Sequence, residues 1–160
     1  MTKLSLIAMA LIVASNITFT VNAKPQDTYL SEEIQGYCVE IGHEYFVAPE
    51  ILLAMIETES AGVSDAENNG CKGLMQVCER YHKDRMDNLM VTDIYDEYSN
   101  ILVATDYLME LAYKYGDIGY VLDVYHGDSK AKYNYENGIL SNYAEEILER
   151  SAELERLHGK

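Results

Sequence analysis

The stretch PEILLAMIETES, Pro49 to Ser60, sets the fold class. A proline at its head suits the first turn of a helix, where a missing N–H leaves no hydrogen bond unmade. The spacing predicts a helix from Glu50 to about Ser60. At about 100° per residue, Leu52, Met55, Ile56 and Glu59 stand at i, i+3, i+4 and i+7 and share one stripe. Glu57 falls roughly 200° from Glu59. Glu59 is therefore expected on the core-facing side and Glu57 as a solvated surface acid, so the two are not a catalytic pair.

The same period recurs on both sides of this helix. Ser31, followed by Glu32 and Glu33, is a candidate cap for a helix carrying Ile34, Tyr37, Cys38, Ile41 and Tyr45. Small and polar residues from Gly62 to Gly73 read as a loop, and Leu74 to Val77 as an apolar lead into another helix. From Ser99 or Asn100 to Tyr115 the residues Ile101, Ala104, Thr105, Leu108, Leu111 and Ala112 keep the helical period, and Gly116 ends it. Asp117 can cap a helix with Ile118, Val121, Leu122 and Tyr125; YNYENG, residues 133–138, reads as a loop. A last helix from Ser141 to about Leu157 sets Tyr143, Ile147, Leu148, Leu154 and Leu157 against acids. Five or six helices, no alternating strand pattern, two prolines and no tryptophan give an all-α domain without internal repeats.

Residues 1–23 stand apart. Lys3, an apolar run from Leu4 to Ala14 and the ending Val21-Asn22-Ala23 have the layout of a secretory signal peptide. An uncleaved anchor is the alternative, but the strictly apolar run is about half of the roughly 20 residues a bilayer requires. The expected organisation is a signal peptide at 1–23, a short N-terminal tail at 24–30 and one domain at 31–160, a monomer, secreted or held in the cell envelope. The part after residue 23 carries 11 Lys+Arg against 27 Asp+Glu, a net charge of −16. Such a surface repels phosphate backbones and anionic headgroups, which argues against nucleic-acid partners and against membrane binding once the signal is removed.

Cys38, Cys71 and Cys78 allow three pairings, and export permits a disulfide. Cys38 with Cys71 is favoured, because Cys78 is expected inside a helix that begins at about Leu74. Cys71, Cys78 and His82 lack the paired-ligand spacing of zinc sites, so no metal is expected. His43, His82 and His158 stand among charges and read as surface residues.

A carboxylate on an apolar face at the C-terminal end of a helix is chemically marked. Burial and the negative end of the helix dipole both disfavour its charged form, which raises its pKa as a general acid requires. Hydration at the rim of the core is the plain alternative for Glu59.

Four ordered motifs go beyond periodicity. Glu59-Ser60, then GLMQ at Gly73 to Gln76, then Asn100-Ile101 opening a helix with Tyr107-Leu108, then VYHG at Val124 to Gly127 resemble the soluble lytic transglycosylases within the goose-type-lysozyme-like superfamily. The resemblance runs from about Ile34 to Ile147. It implies a lysozyme-like helical domain with a substrate cleft, acting on the β-1,4 bond between N-acetylmuramic acid and N-acetylglucosamine in peptidoglycan strands. It implies Glu59 as acid and then base, a 1,6-anhydro product and no cofactor. It further implies that Tyr125 hydrogen-bonds the catalytic glutamate. A single acid is enough when the nucleophile belongs to the substrate, whereas a conventional glycosidase needs two. Asp65, Glu67 and Asp128 lie in loops that could supply a second.

The remaining candidates have two readings each. Gly73 lets the backbone pass close to a sugar. Met75 and Gln76 are set to contact the acetamido group and ring, or to fill the core and start a helix; Leu74 belongs to the core beside them. Ser60 caps the helix or bonds near Glu59. Tyr133, Tyr135 and Tyr143 could stack on sugars or pack, with Tyr143 favoured because a tyrosine opens the final helix in many relatives. His126 stands where the family usually has asparagine. A hydrolytic lysozyme of the same fold and a non-catalytic wall-binding protein are the rival functions.

Overall fold

The computed structural model describes residues 27–160; the expected signal peptide lies outside the described residues. Seven helices and one small hairpin follow in order: α1 (Glu32–Tyr45), α2 (Pro49–Ser60), β1 (Glu67–Asn68), β2 (Cys71–Lys72), α3 (Glu79–Asn88), α4 (Glu97–Tyr115), α5 (Ile118–His126), α6 (Ala131–Glu136) and α7 (Asn142–Leu157). The fold is the expected all-α domain. None of these helices is long and apolar enough to cross a membrane.

Local capping explains most boundaries. The Ser31 hydroxyl accepts from the Ile34 amide, the Asp117 carboxylate from Tyr120 and the Ser141 hydroxyl from Ala144. Each satisfies an amide that the first helical turn would leave unpaired. Gly116 ends α4 in the left-handed conformation.

Helix α2 is the axis of the core. Leu52, Leu53, Met55 and Ile56 are fully buried, each stabilising the fold by about 1.5–3 kcal/mol relative to an exposed side chain. It packs against α1 and α7; α4 packs against α1 and α5; α5 packs against α6 and α7. These pairings close a ring of α1, α2, α7, α5 and α4, so the C-terminal end of α2 is near the α5 and α7 residues that carry Tyr125 and Tyr143.

The structure departs from the sequence reading in several places. GLMQ does not lead into a helix. Lys72 and Val77 exchange backbone hydrogen bonds of 3.0 and 2.9 Å, and the chain between them folds back on itself with Gly73 and Gln76 at positive φ. Cys78 thus precedes α3 instead of lying within it, and it comes to rest beside Cys71. The disulfide is Cys71–Cys78, not Cys38–Cys71. Cys38 is a free thiol buried in α1, and burial pushes its pKa up to about 12.

YNYENG is not a loop throughout, because its first four residues complete α6. The apolar period is absent there; buried Asn134 anchors the short helix by donating to Asp123 at 3.1 Å and Asp128 at 3.2 Å. Nor is Glu57 a solvated acid. Its side chain is 11% exposed and pairs with Arg150 of α7, Nε to Oε2 at 2.6 Å, while the Thr28 hydroxyl donates to its other oxygen. Arg150 also donates to the Asp27 carbonyl, and Thr28 and Leu30 are buried. His158 is likewise not a surface residue. It packs with Lys160 against the buried Glu50 carboxylate at 2.9 and 2.7 Å. His82 is half-buried, its ring 4.5 Å from that of Tyr107.

Candidate active site

Glu59 is half-buried in the last turn of α2, on the stripe that its spacing indicates. Tyr143, in the first turn of α7, donates its hydroxyl to Glu59 Oε1 at 2.5 Å. Burial pushes the Glu59 carboxyl above the ordinary carboxylate range; the Tyr143 hydrogen bond and the positive charge available to His126 pull the other way without cancelling it. The Tyr143 phenol is itself pushed far up, first by burial and then by the charge of Glu59, so it stays a donor. A carboxyl that holds its proton more tightly than an exposed one, with one oxygen fixed by a neutral donor, is the chemistry a general acid needs.

Tyr125 does not make the hydrogen bond to Glu59 that the resemblance implies. Its hydroxyl donates to the Met75 carbonyl at 2.8 Å, and Tyr143 takes the place at the carboxylate. Burial and, next, the Glu59 charge raise the Tyr125 pKa, so the two residues are within electrostatic range. Tyr125 thereby ties α5 to the GLMQ turn beside the acid.

Within that turn the four residues separate. Leu74 and Met75 have buried side chains that belong to the core, so Met75 offers the site its carbonyl and not its thioether. Gln76, half-buried at φ +48°, donates its amide to the Gly73 and Ala66 carbonyls at 3.0 and 3.2 Å. Gly73 is buried at φ +76°, and the close approach it permits is to Asn100, whose Nδ2 would lie 2.3 Å from an added Cβ. Ser60 accepts from the Gly62 amide and donates to the Ile56 carbonyl, which finishes α2 and turns its hydroxyl into the helix end.

Asn100, read from the sequence only as part of the Asn100-Ile101 motif that opens a helix, builds the site. It is fully buried in the first turn of α4; its Oδ1 accepts from the Met75 amide, and its Nδ2 donates to the Lys72 and Ile94 carbonyls, all at 2.8 Å. One side chain thus satisfies the Met75 amide and the Lys72 carbonyl at the turn and ties both to the Ile94 carbonyl in the loop ahead of α4. The signal was an asparagine at the head of an apolar helix where a cap alone would not require burial.

Two open grooves meet at His126 and Gly127. One, of about 380 Å³, is lined by Gln76, Tyr81, His82, Tyr107 and Tyr125; the other, of about 470 Å³, by Asp128, Ser141, Asn142 and Tyr143. Tyr133 and Tyr135 are exposed on α6; the Tyr135 ring stacks on Tyr120 at 4.8 Å. Two of the three candidate second acids are hydrogen-bonded within the protein: Glu67 accepts from the Tyr95 hydroxyl, and Asp128, which lines the second groove, accepts from Asn134 and the Lys130 amide. Among the described residues no group of three or more His, Cys, Asp or Glu is placed to hold a metal ion.

A comparison with curated proteins finds no match. A model of the transglycosylase SLT domain matches residues 37–147, a span that contains Glu59, the GLMQ turn, Asn100, Tyr125 and Tyr143. Membership supports lytic transglycosylase action on peptidoglycan, outside the cytoplasm. With the match covering most of the chain and the fold agreeing, the protein belongs to the transglycosylase SLT domain family.

Proposed function

We propose that this chain is an exported peptidoglycan lytic transglycosylase in which Glu59 is the sole catalytic carboxylate. The observation that carries this is Glu59 itself: a carboxyl whose pKa burial raises, held by the hydroxyl of Tyr143, a residue that lines an open groove, in a domain of the transglycosylase family.

In this reading a glycan strand lies along the two grooves with its scissile β-1,4 bond at Glu59. The protonated Glu59 gives its proton to the glycosidic oxygen, and the bond from that oxygen to C1 of the muramic acid breaks. The resulting carboxylate takes the proton of the muramic acid C6 hydroxyl as that oxygen bonds to C1. The product is a 1,6-anhydro end, no water is consumed, and Glu59 is again protonated. Tyr143 holds Glu59 Oε1 throughout and leaves the other oxygen for the proton transfers. Tyr125 holds the GLMQ turn by its Met75 carbonyl, and Gln76 is the polar group of that turn available to the sugar acetamido groups. Gly73, Leu74 and Met75 act by shaping the turn, Ser60 by fixing the end of α2.

The signal peptide at 1–23, the domain at 31–160 and a monomeric state belong to the same reading. Glu59→Gln tests it: the variant keeps the shape and the Tyr143 partner but has no proton to give. It should fold as the wild type and lose about 10²–10⁴ in peptidoglycan cleavage rate. Wild-type cleavage by the folded variant would refute the proposal.

A further inference from the structure

His126 ends α5 and is exposed, yet its ring lies stacked on Tyr143, 4.1 Å between centroids with the planes 21° apart. Tyr143 is the residue whose hydroxyl is committed to Glu59. A phenol hydroxyl lies in the plane of its ring, so a partner that fixes the ring also fixes where the hydroxyl points. The asparagine usual at this place has no ring to stack.

The charged and titratable groups around this pair come from four elements. Glu59 faces it from α2, Tyr125 from α5, Glu146 from α7 and Asp128 from the loop after α5, where it lines the same groove as His126 and Tyr143. A positive charge on His126 favours the Glu59 carboxylate.

We propose that His126 is a positioning residue for Glu59: its ring holds Tyr143 so that the hydroxyl meets the carboxylate. The proposal rests on the reading of Glu59 as the acid. The sign is fixed by charge. A positive His126 favours the Glu59 carboxylate, so removing it moves the Glu59 titration to higher pH. Removing the ring as well frees Tyr143, whose hydrogen bond also favours the carboxylate, and the titration moves further in the same direction. Cleavage needs protonated Glu59 at the outset, so the alkaline limb of the rate profile follows.

The experiment is the titration of the Glu59 carboxyl by carbon-detected NMR in the wild type, His126→Phe and His126→Ala, with the signal assigned by its loss in Glu59→Gln. The rate of peptidoglycan digestion is followed over the same pH range. Phenylalanine keeps a stacking ring and loses the charge; alanine loses both. The expected result is an upward shift in the Phe variant, a larger one in the Ala variant, and alkaline limbs displaced in the same order. A Glu59 titration in the Ala variant that coincides with that in the Phe variant overturns the proposal. Failure of the Glu59 reading is a separate result: Glu59→Gln would then still digest peptidoglycan, whatever the titrations show.

Discussion

Gly73→Ala and Asn100→Ala, alone and together, measure how the GLMQ turn is held. Gly73 sits at φ +76°, where a residue with a side chain costs about 1 kcal/mol. Its new Cβ would also lie 2.3 Å from Asn100 Nδ2 and 2.7 Å from its Cγ, so Asn100 must leave its place. That forfeits three buried hydrogen bonds, a net loss of about 3 kcal/mol at about 1 kcal/mol each. Gly73→Ala should therefore cost about 4 kcal/mol, and Asn100→Ala, which loses the same bonds directly, about 3 kcal/mol. With Asn100 already truncated the added methyl meets no amide, and only the conformational cost of about 1 kcal/mol remains. The double variant should cost about 4 kcal/mol where simple addition gives about 7, a coupling of about 3 kcal/mol. Urea denaturation followed by far-UV circular dichroism, with a common m value, reads all three. Additive losses, or a Gly73→Ala variant as stable as the wild type, would refute the role assigned to Asn100.

Other consequences follow from the ion pairs and the disulfide. Glu57→Ala leaves the Arg150 guanidinium only Glu153 and the Asp27 carbonyl and should cost about 1–2 kcal/mol in thermal or urea unfolding, less than a fully buried pair because Arg150 keeps these partners and remains a quarter exposed; Lys83→Ala, which breaks an exposed pair with Asp87, should leave the melting temperature unchanged. Cys71→Ser with Cys78→Ser opens a short loop of sequence separation 7 and should cost about 2 kcal/mol by the same assay. The raised Glu59 pKa gives a stability prediction with a definite sign: between the ordinary carboxyl value and the folded one, the native state binds a proton that the unfolded chain does not, so stability falls as pH rises through that window. Glu59→Gln lacks this loss and should melt above the wild type at neutral pH and level with it in acid. Glu50 gives the opposite case. Burial alone would raise its pKa, but Lys160 and His158 hold it lower, so its contribution is present above the ordinary carboxyl value and is lost as pH falls through the folded one; Glu50→Gln should flatten the acid limb of the melting profile.

The apolar period of α2, the caps at Ser31, Asp117 and Ser141, and Gly116 were legible because local spacing and local hydrogen bonds decide them. Glu59 was legible for the same reason, since the stripe that buries Leu52, Met55 and Ile56 carries it into the interior. Periodicity misread Glu57 because it treats every residue off the stripe as solvated, while Arg150, 93 residues away in sequence, reaches over to pair with it. The GLMQ turn, and with it the disulfide, escaped because its four letters fit a helix start equally well; the side chains that satisfy the buried Met75 amide and carbonyl, Asn100 and Tyr125, come from other helices. The exchange of Tyr125 for Tyr143 at Glu59 has a related cause. Both tyrosines are near enough to feel the charge, and the free Met75 carbonyl, a product of the turn, claims one of them.

The most direct test of the central claim is mass spectrometry of the muropeptides released when the protein digests purified peptidoglycan. With Glu59 as sole acid and base and the substrate's own C6 hydroxyl as nucleophile, the released ends should be 1,6-anhydro-muramic acid. Reducing ends that carry oxygen from solvent water would contradict it.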